Sequence, residues 1–212
     1  MSSRLPLFAL PNLMLYPEAV IPLHLFEPRY LQLMQDLLAN GKHDLLIGTL
    51  LPGWEEDYFH APPIAKVAGV GEVMQSQRDE QGNYNIVLRG KYRAVVIDEK
   101  PSGKPYRVIE VEEHPEIPIT GSEASLAHAQ LLHAITSLAG ATPEGADAQT
   151  LNYLTDILLV HLPIEMDRKL KVFCELHPIK RATKVLKEFK KQQAIGRSFP
   201  SSSTEPEDPQ WN

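Results

Sequence analysis

The sequence predicts an α+β protein in which a strand-rich N-terminal part, carrying one inserted helix, is followed by a helical C-terminal part. Three observations carry this reading. Before about residue 118 the apolar residues fall in short Val-, Ile- and Tyr-rich runs separated by turn residues, the pattern of strands. From Ser122 onward they recur at spacings of three and four, the helical period. Gly69, Gly71 and Gly90 lie inside or beside the predicted strands, where glycine marks the bulges and sharp bends that a small closed barrel needs. With 212 residues, 43% of them hydrophobic and 23% charged, the chain has the composition of an ordinary globular protein. A chain of this size buries about 70% of its unfolded surface without disulfides or metals.

Residues 5–10 and 20–25 read as extended segments, the first ending in a turn at Pro11 and Asn12. Prolines at 6, 11, 17 and 22 place them near a sheet edge, where a missing N–H is tolerated. Pro28 suits the first turn of a helix. Tyr30, Leu33, Met34, Leu37 and Leu38 follow at helical spacing and Asn40-Gly41 ends the run, so a helix spans 28–39. Residues 45–51 form a buried-type strand, and 52–63 a loop rich in prolines and acids. Strands at 64–77, 84–88, 93–98 and 106–112 then follow as an antiparallel meander, with turn chemistry at 79–83 and 100–105.

Helices are predicted at 122–139, 147–161, 164–176 and 179–194, with a Gly/Ala/Pro link at 140–146. Pro163 and Pro178 each sit where a new helix begins. The last 15 residues contain four serines, three prolines and three acids, and such a composition does not offset its own ordering entropy. The expected organisation is a β-barrel unit over 1–118, a helical unit over 119–197 and a disordered tail over 198–212.

Arg4 precedes an apolar stretch, yet prolines and Glu18 interrupt it and no small-x-small site follows, so a secretory leader is not expected. Nowhere is there the uninterrupted apolar run that a membrane span requires. Cys174 is the single cysteine and cannot close an intramolecular disulfide, which fits the cytoplasm. The net charge of −6 hides a split: residues 1–161 carry 11 basic and 20 acidic groups, and residues 162–197 carry 10 and 4. Nucleic acids are held largely by Lys and Arg neutralising phosphates, so the acidic body argues against broad binding. The basic segment keeps a local version open.

Motifs for catalysis are missing. Each Gly-Lys pair, at 41–42, 90–91 and 103–104, is followed by His, Tyr or Pro instead of the Ser or Thr of a phosphate-cradling loop. Neither GxSxG nor HExxH occurs, and Gly69-Val70-Gly71 runs on to Met74 where a dinucleotide loop needs its third glycine. His128 and His133, five apart, lie on different sides of a helix. No catalytic residue, metal ligand or cofactor is therefore assigned, and the chain is expected not to be an enzyme. Cys174 shares a helical face with Leu170 and Phe173 and reads as a small core residue. Glu110, Glu112, Glu113 and Glu116 read as a solvated strand edge and its loop.

Two features are candidates for binding. Trp54, Tyr58 and Phe59 place three of the 15 aromatics within six loop residues, where aromatics either anchor a partner or fold back over the barrel. Lys180, Arg181, Lys184, Lys187, Lys190 and Lys191 lie opposite Ile179, Ala182, Val185, Leu186 and Phe189. This is an amphipathic helix whose charged face is solvated or meets an acidic or phosphate-bearing partner.

The run Leu5-Pro6-Leu7-Phe8-Ala9-Leu10-Pro11-Asn12-Leu13-Met14-Leu15-Tyr16-Pro17, followed by Ile21-Pro22-Leu23-His24-Leu25-Phe26-Glu27-Pro28-Arg29-Tyr30, resembles the N-terminal substrate-binding domain of the Lon protease family. Val67-Ala68-Gly69-Val70-Gly71-Glu72-Val73, then Gly82-Asn83-Tyr84-Asn85-Ile86-Val87-Leu88-Arg89-Gly90 and Lys91-Tyr92-Arg93-Ala94, continue the resemblance in order, over roughly residues 4–194. It implies a PUA-like, six-stranded, antiparallel-rich β-barrel with an inserted helix, followed by a helical subdomain. In full-length Lon that region precedes an AAA+ ATPase and a Ser-Lys protease, and neither engine is expected in this chain. The implied function is non-enzymatic binding of unfolded or degron-bearing protein segments, or adaptor work beside a protease or chaperone. RNA binding is the alternative, because PUA-like barrels resemble RNA-binding modules. Phe26, Glu27, Pro28, Arg29 and Tyr30 read as a structural motif. Pro28 starts the helix, Glu27 accepts from its free N–H groups, Arg29 pairs with a nearby acid, and Phe26 and Tyr30 anchor the turn on the barrel.

Overall fold

The computed structural model describes residues 2–58 and 60–198. The N-terminal part holds β1 (Ser2–Leu10), β2 (Val20–Leu25), α1 (Pro28–Ala39), β3 (Asp44–Thr49), β4 (Val67–Arg78), β5 (Tyr84–Lys100) and β6 (Val108–His114). The C-terminal part holds α2 (Ser122–Ala139), α3 (Leu151–His161), α4 (Met166–Phe173) and α5 (Pro178–Ser198). Strands follow the order β2-β5-β4-β3-β1-β6, and a further pairing of β5 with β6 closes β5, β4, β3, β1 and β6 into a ring. The β1–β3 pair is parallel and the others are antiparallel. The class is α+β, a mixed six-stranded sheet with helices, as predicted.

The ring closes because β5 is one strand of 17 residues, not the two short strands predicted at 84–88 and 93–98. Its first half pairs with β2 and its second half with β6, while β4 runs along the opposite edge. The apparent break at Gly90 is a crossing point. Chain segment 13–19 passes over it, with the Gly90 N–H donating to the Ala19 carbonyl at 2.8 Å and the Glu18 N–H donating to the Gly90 carbonyl at 2.9 Å. A Cβ at Gly90 would overlap the Tyr16 carbonyl, and one at Gly69 the Leu15 carbonyl. Close backbone approach thus requires both glycines, and the predicted bulge lies beside them at Val70/Gly71.

Proline placement corrects one expectation. β1 lies between β3 and β6, not at an edge. Pro6 ends the ladder with β6 and Leu7 begins the ladder with β3, so the missing N–H falls where the strand changes partner. β2, which carries Pro22, is the edge strand.

α1 has the predicted span, with Pro28 in its first turn and Tyr30, Leu33, Met34 and Leu37 buried. α3 begins later than predicted because residues 146–148 form a 3₁₀ turn and Thr150 caps the helix, accepting the Tyr153 N–H at 3.2 Å. α4 is shorter than predicted, ending at Phe173. α5 runs on to Ser198, past the predicted end at 194, since no proline intervenes before Pro200. The predicted tail therefore loses its first residue to the helix, and 199–212 lie outside the described residues.

Two apolar clusters fill the barrel part. One, under α1, includes Phe8, Leu25, Leu33, Met34 and Leu88, and the other includes Leu7, Leu46, Val70 and Val111. The third joins Leu131, Leu154, Leu158, Phe173, Val185 and Phe189 of the helices to Met14, Tyr16 and Val67 of the barrel part. Segment 13–19 thus fastens both parts, and the half-buried Cys174 packs on the third cluster as predicted, burial pushing its thiol pKa up. No helix among the described residues is long and apolar enough to cross a membrane.

Candidate functional site

The chain leaves β2 through Phe26 and Glu27 and enters α1 at Pro28. Glu27 is the N-cap residue, but its carboxylate makes no capping bond. It accepts instead from Arg29, at 3.0 Å from Nε and 2.9 Å from a terminal nitrogen, and from the Tyr58 hydroxyl at 2.5 Å. A charge-assisted pair to a guanidinium outweighs a neutral backbone donor, which is why the predicted cap is absent. Arg29 also donates to the Tyr58 carbonyl at 3.2 Å and lies over the rings of Tyr30 and Tyr58 at 4.7 and 4.6 Å. Tyr30 is buried, packs edge-on to Phe8 at 4.3 Å and donates to the Ala9 carbonyl. Burial, opposed by the Arg29 charge, lifts its phenol pKa to about 12.

Phe26 is no anchor, contrary to prediction: it is 63% exposed and stacks on the His24 ring at 6.0 Å. Strand alternation explains this. Val20, Pro22 and His24 are exposed along β2 and Leu25 is buried, so the next residue points outward. His24 is in turn fixed by Asn85, 2.8 Å away.

The aromatic loop contributes one member to this turn. Residues 54–57 form a 3₁₀ turn, Trp54 and Tyr58 meet edge-on at 5.3 Å, and both are half-buried on the barrel. Tyr58 therefore joins the Phe26–Tyr30 turn through Glu27 and Arg29. Trp54 touches it through Tyr58, and Phe59 lies outside the described residues.

Sequence reasoning missed the other polar constellation. Arg93 of β5 and Arg181 of α5 are fully buried between the barrel and the helices. Arg93 binds Glu116, donates to Asp156 of α3 at 2.6 Å and to the Phe173 carbonyl at 3.3 Å, and lies 4.7 Å over the Phe173 ring. Arg181 donates to Glu116 at 2.7 Å, to Asn152 at 2.9 Å and to the Glu175 carbonyl at 2.9 Å. Burial works against the Arg93 charge, but Asp156 and Glu116 outweigh it and hold its proton more tightly than in water. Two expectations fail here. Glu116 is drawn out of its solvated loop by two guanidiniums, and Arg181 does not belong to the solvated face of α5. The helical period carried the signal, because Arg181 stands four residues before Val185 and eight before Phe189, on the buried face.

Residues 4–191 match the family of the ATP-dependent protease La (LON) substrate-binding domain. The Lon protease of Flavobacterium johnsoniae is 32% identical over 110 residues, 51% of this chain and 13% of that protein. Lon protease 2 of Sorangium cellulosum is 30% identical over 145 residues, 67% of this chain and 17% of that protein. The chain thus spans less than a fifth of the length of these relatives. Among solved structures, a Lon N-terminal domain protein from Xanthomonas campestris superposes with a TM-score of 0.65 at 23% identity, covering 87% of this chain and 98% of that one. The N-terminal domain of the Mycobacterium avium complex Lon protease gives 0.68 at 17% identity, covering 89% and 98%. These two likenesses show the fold, and the match over residues 4–191 shows the kinship: the chain belongs to the Lon substrate-binding domain family.

Proposed function

We propose that the chain is a non-enzymatic polypeptide-binding module that takes unfolded or degron-bearing segments at the Phe26 turn and works beside a protease or chaperone. The observation that carries this is Phe26 itself, an exposed ring on a turn made rigid by Glu27, Arg29, Tyr30 and Tyr58. Folding gains little from a ring left in water, whereas a pre-positioned aromatic is a favoured anchor for a partner chain. In this reading the barrel part, 1–118, carries the site and the helical part, 119–197, supports it. The RNA reading is weaker, because the net-positive segment is α5, whereas the barrel that would carry RNA has more acids than bases.

The test uses a permanently unfolded probe, reduced and carboxymethylated α-lactalbumin with a fluorescent label. Phe26→Ala is expected to weaken binding about tenfold, the effect of losing one aromatic anchor, with the urea midpoint unchanged. Binding equal to wild type would overturn the assignment. A steep loss of affinity with salt would point to charge rather than apolar contact.

A further inference from the structure

α2 and α5 leave an open groove between them of about 580 Å³, on a different surface from the Phe26 turn. Ala127, Ile179 and Leu186 form its apolar floor, and Leu126, 61% exposed, stands over it. Lys187, Lys190 and Lys191 line the other side. Two basic groups nearby are matched, Lys184 by Glu175 and Arg168 by Glu188. Lys191 pairs with Glu188 at 2.8 Å while its side chain stays half exposed. Lys187 and Lys190 have no acid within ion-pair distance among the described residues, and Glu123 is the one acid that lines the groove. A chain with six more acids than bases thus presents here an apolar floor edged by three lysines.

We propose that the α2–α5 groove docks an acidic amphipathic helix of a partner protein. Its apolar side chains would meet Leu126, Ile179 and Leu186, and its carboxylates Lys187, Lys190 and Lys191. The groove follows α5 from Ile179 to Ala194, about 22 Å at the rise of a helix. That is about four turns, the scale at which an amphipathic helix is held in a groove through residues at i, i+3, i+4 and i+7. The occupant's charge is set by the lysines, since like charge opposite them is repelled and opposite charge speeds and orients docking. Phosphate-bearing polymers suit the cations but not the floor, which would lose its water to no apolar partner.

The probe is a fluorescein-labelled synthetic helix of about five turns, leucine at i, i+3, i+4 and i+7 and glutamate elsewhere, tested on the full chain. Its control carries lysine in place of glutamate. The acidic helix is expected to bind and the basic one not. Lys187→Glu with Lys190→Glu should weaken binding at least about tenfold, the usual scale for reversing rim charges around an apolar contact. Leu126→Asp should do the same, and Phe26→Ala should leave this binding unchanged, which separates it from the Phe26 reading. All substituted side chains are exposed, and circular dichroism of each variant checks the fold. Equal binding of both helices, or no effect of the lysine reversals, overturns the proposal. Binding of polyuridylate but not of the acidic helix, lost on the same reversals, would also overturn it and identify a phosphate site.

Discussion

Arg93 at the junction of barrel and helices and Arg29 at the Phe26 turn engage their neighbours in parallel ways. Each uses all three guanidinium nitrogens, each holds carboxylate, each reaches a backbone carbonyl, and each lies over aromatic rings. They differ in burial, with the Arg93 side chain inaccessible and that of Arg29 still 18% exposed. Around Arg93, water cannot replace a lost partner, so every deletion leaves a desolvated charge behind. Around Arg29, water can enter, and the same bonds position a turn without deciding whether the chain folds. Burial, more than bond count, separates the part that holds the molecule together from the part that presents a ring to solvent.

The widest gap between the two regions should appear when each arginine is removed. Arg93→Ala takes from Asp156 its close partner and leaves it only Arg181 at 3.9 Å, while Glu116 keeps its bond to Arg181, and removing one partner of a buried pair costs about 3–5 kcal/mol. Urea denaturation measures this, and a loss below about 1 kcal/mol would mean that the apolar cluster alone joins barrel to helices. Next comes a contrast within the turn. Tyr30→Ala deletes a buried ring and should cost about 3 kcal/mol, whereas Phe26→Ala deletes an exposed one and should stay within about 0.5 kcal/mol. Equal losses would mean that Phe26 packs in solution as the sequence suggested.

What the sequence made legible was local. The helix at 28–39 is written in Pro28, the apolar spacing and Asn40-Gly41, and the strand runs in their composition. Tyr58 was legible as a candidate, but its bond to Glu27 was not, since 31 residues separate them. The continuity of β5 was hidden because a glycine that ends a strand and one that lets another segment cross look alike until the crossing segment, 13–19, is in place. The exposure of Phe26 was present in the alternation of Val20, Pro22, His24 and Phe26, and was obscured by reading an aromatic as an anchor. Arg181 was obscured in the same way, its charge masking its position on the apolar face of α5. Glu116 carried no local signal, because its two partners are 23 and 65 residues away.

The turn allows a finer test. Arg29→Ala removes a partly exposed ion pair and should cost about 1 kcal/mol, the upper end for such pairs. Its clearer sign should be faster proteolysis at 54–58, because Arg29 is what fastens Tyr58 through both its ring and its carbonyl. Unchanged cleavage would show that the Tyr58 hydroxyl bond to Glu27 and the Trp54 contact hold the loop without Arg29.

The smallest effect is expected at Asp36 of α1, whose partner Lys104 is half exposed and where pH supplies the handle. Its carboxylate accepts from Lys104 at 2.7 Å, from the Tyr106 hydroxyl at 2.8 Å and from Gln32 at 2.8 Å, and thereby ties α1 to the segment before β6. These bonds, Lys104 first, hold the Asp36 pKa down at about 2, against an ordinary value of about 3.9 in an unfolded chain. A depressed carboxylate stabilises the fold above the unfolded pKa and loses that contribution as pH falls through the folded one. The margin of wild type over Asp36→Ala should therefore be constant near neutral pH and shrink between about 4 and 2. Tyr106 sets the other end. Burial and the Asp36 carboxylate raise its phenol to about 12, so its donated bond persists through the pH range where free tyrosine ionises, near 10. Denaturation midpoints of both proteins at about pH 2.5, 6 and 9 decide the matter: a margin as wide at the acid end as at neutrality would show that the Asp36 charge is not what ties α1 to the barrel.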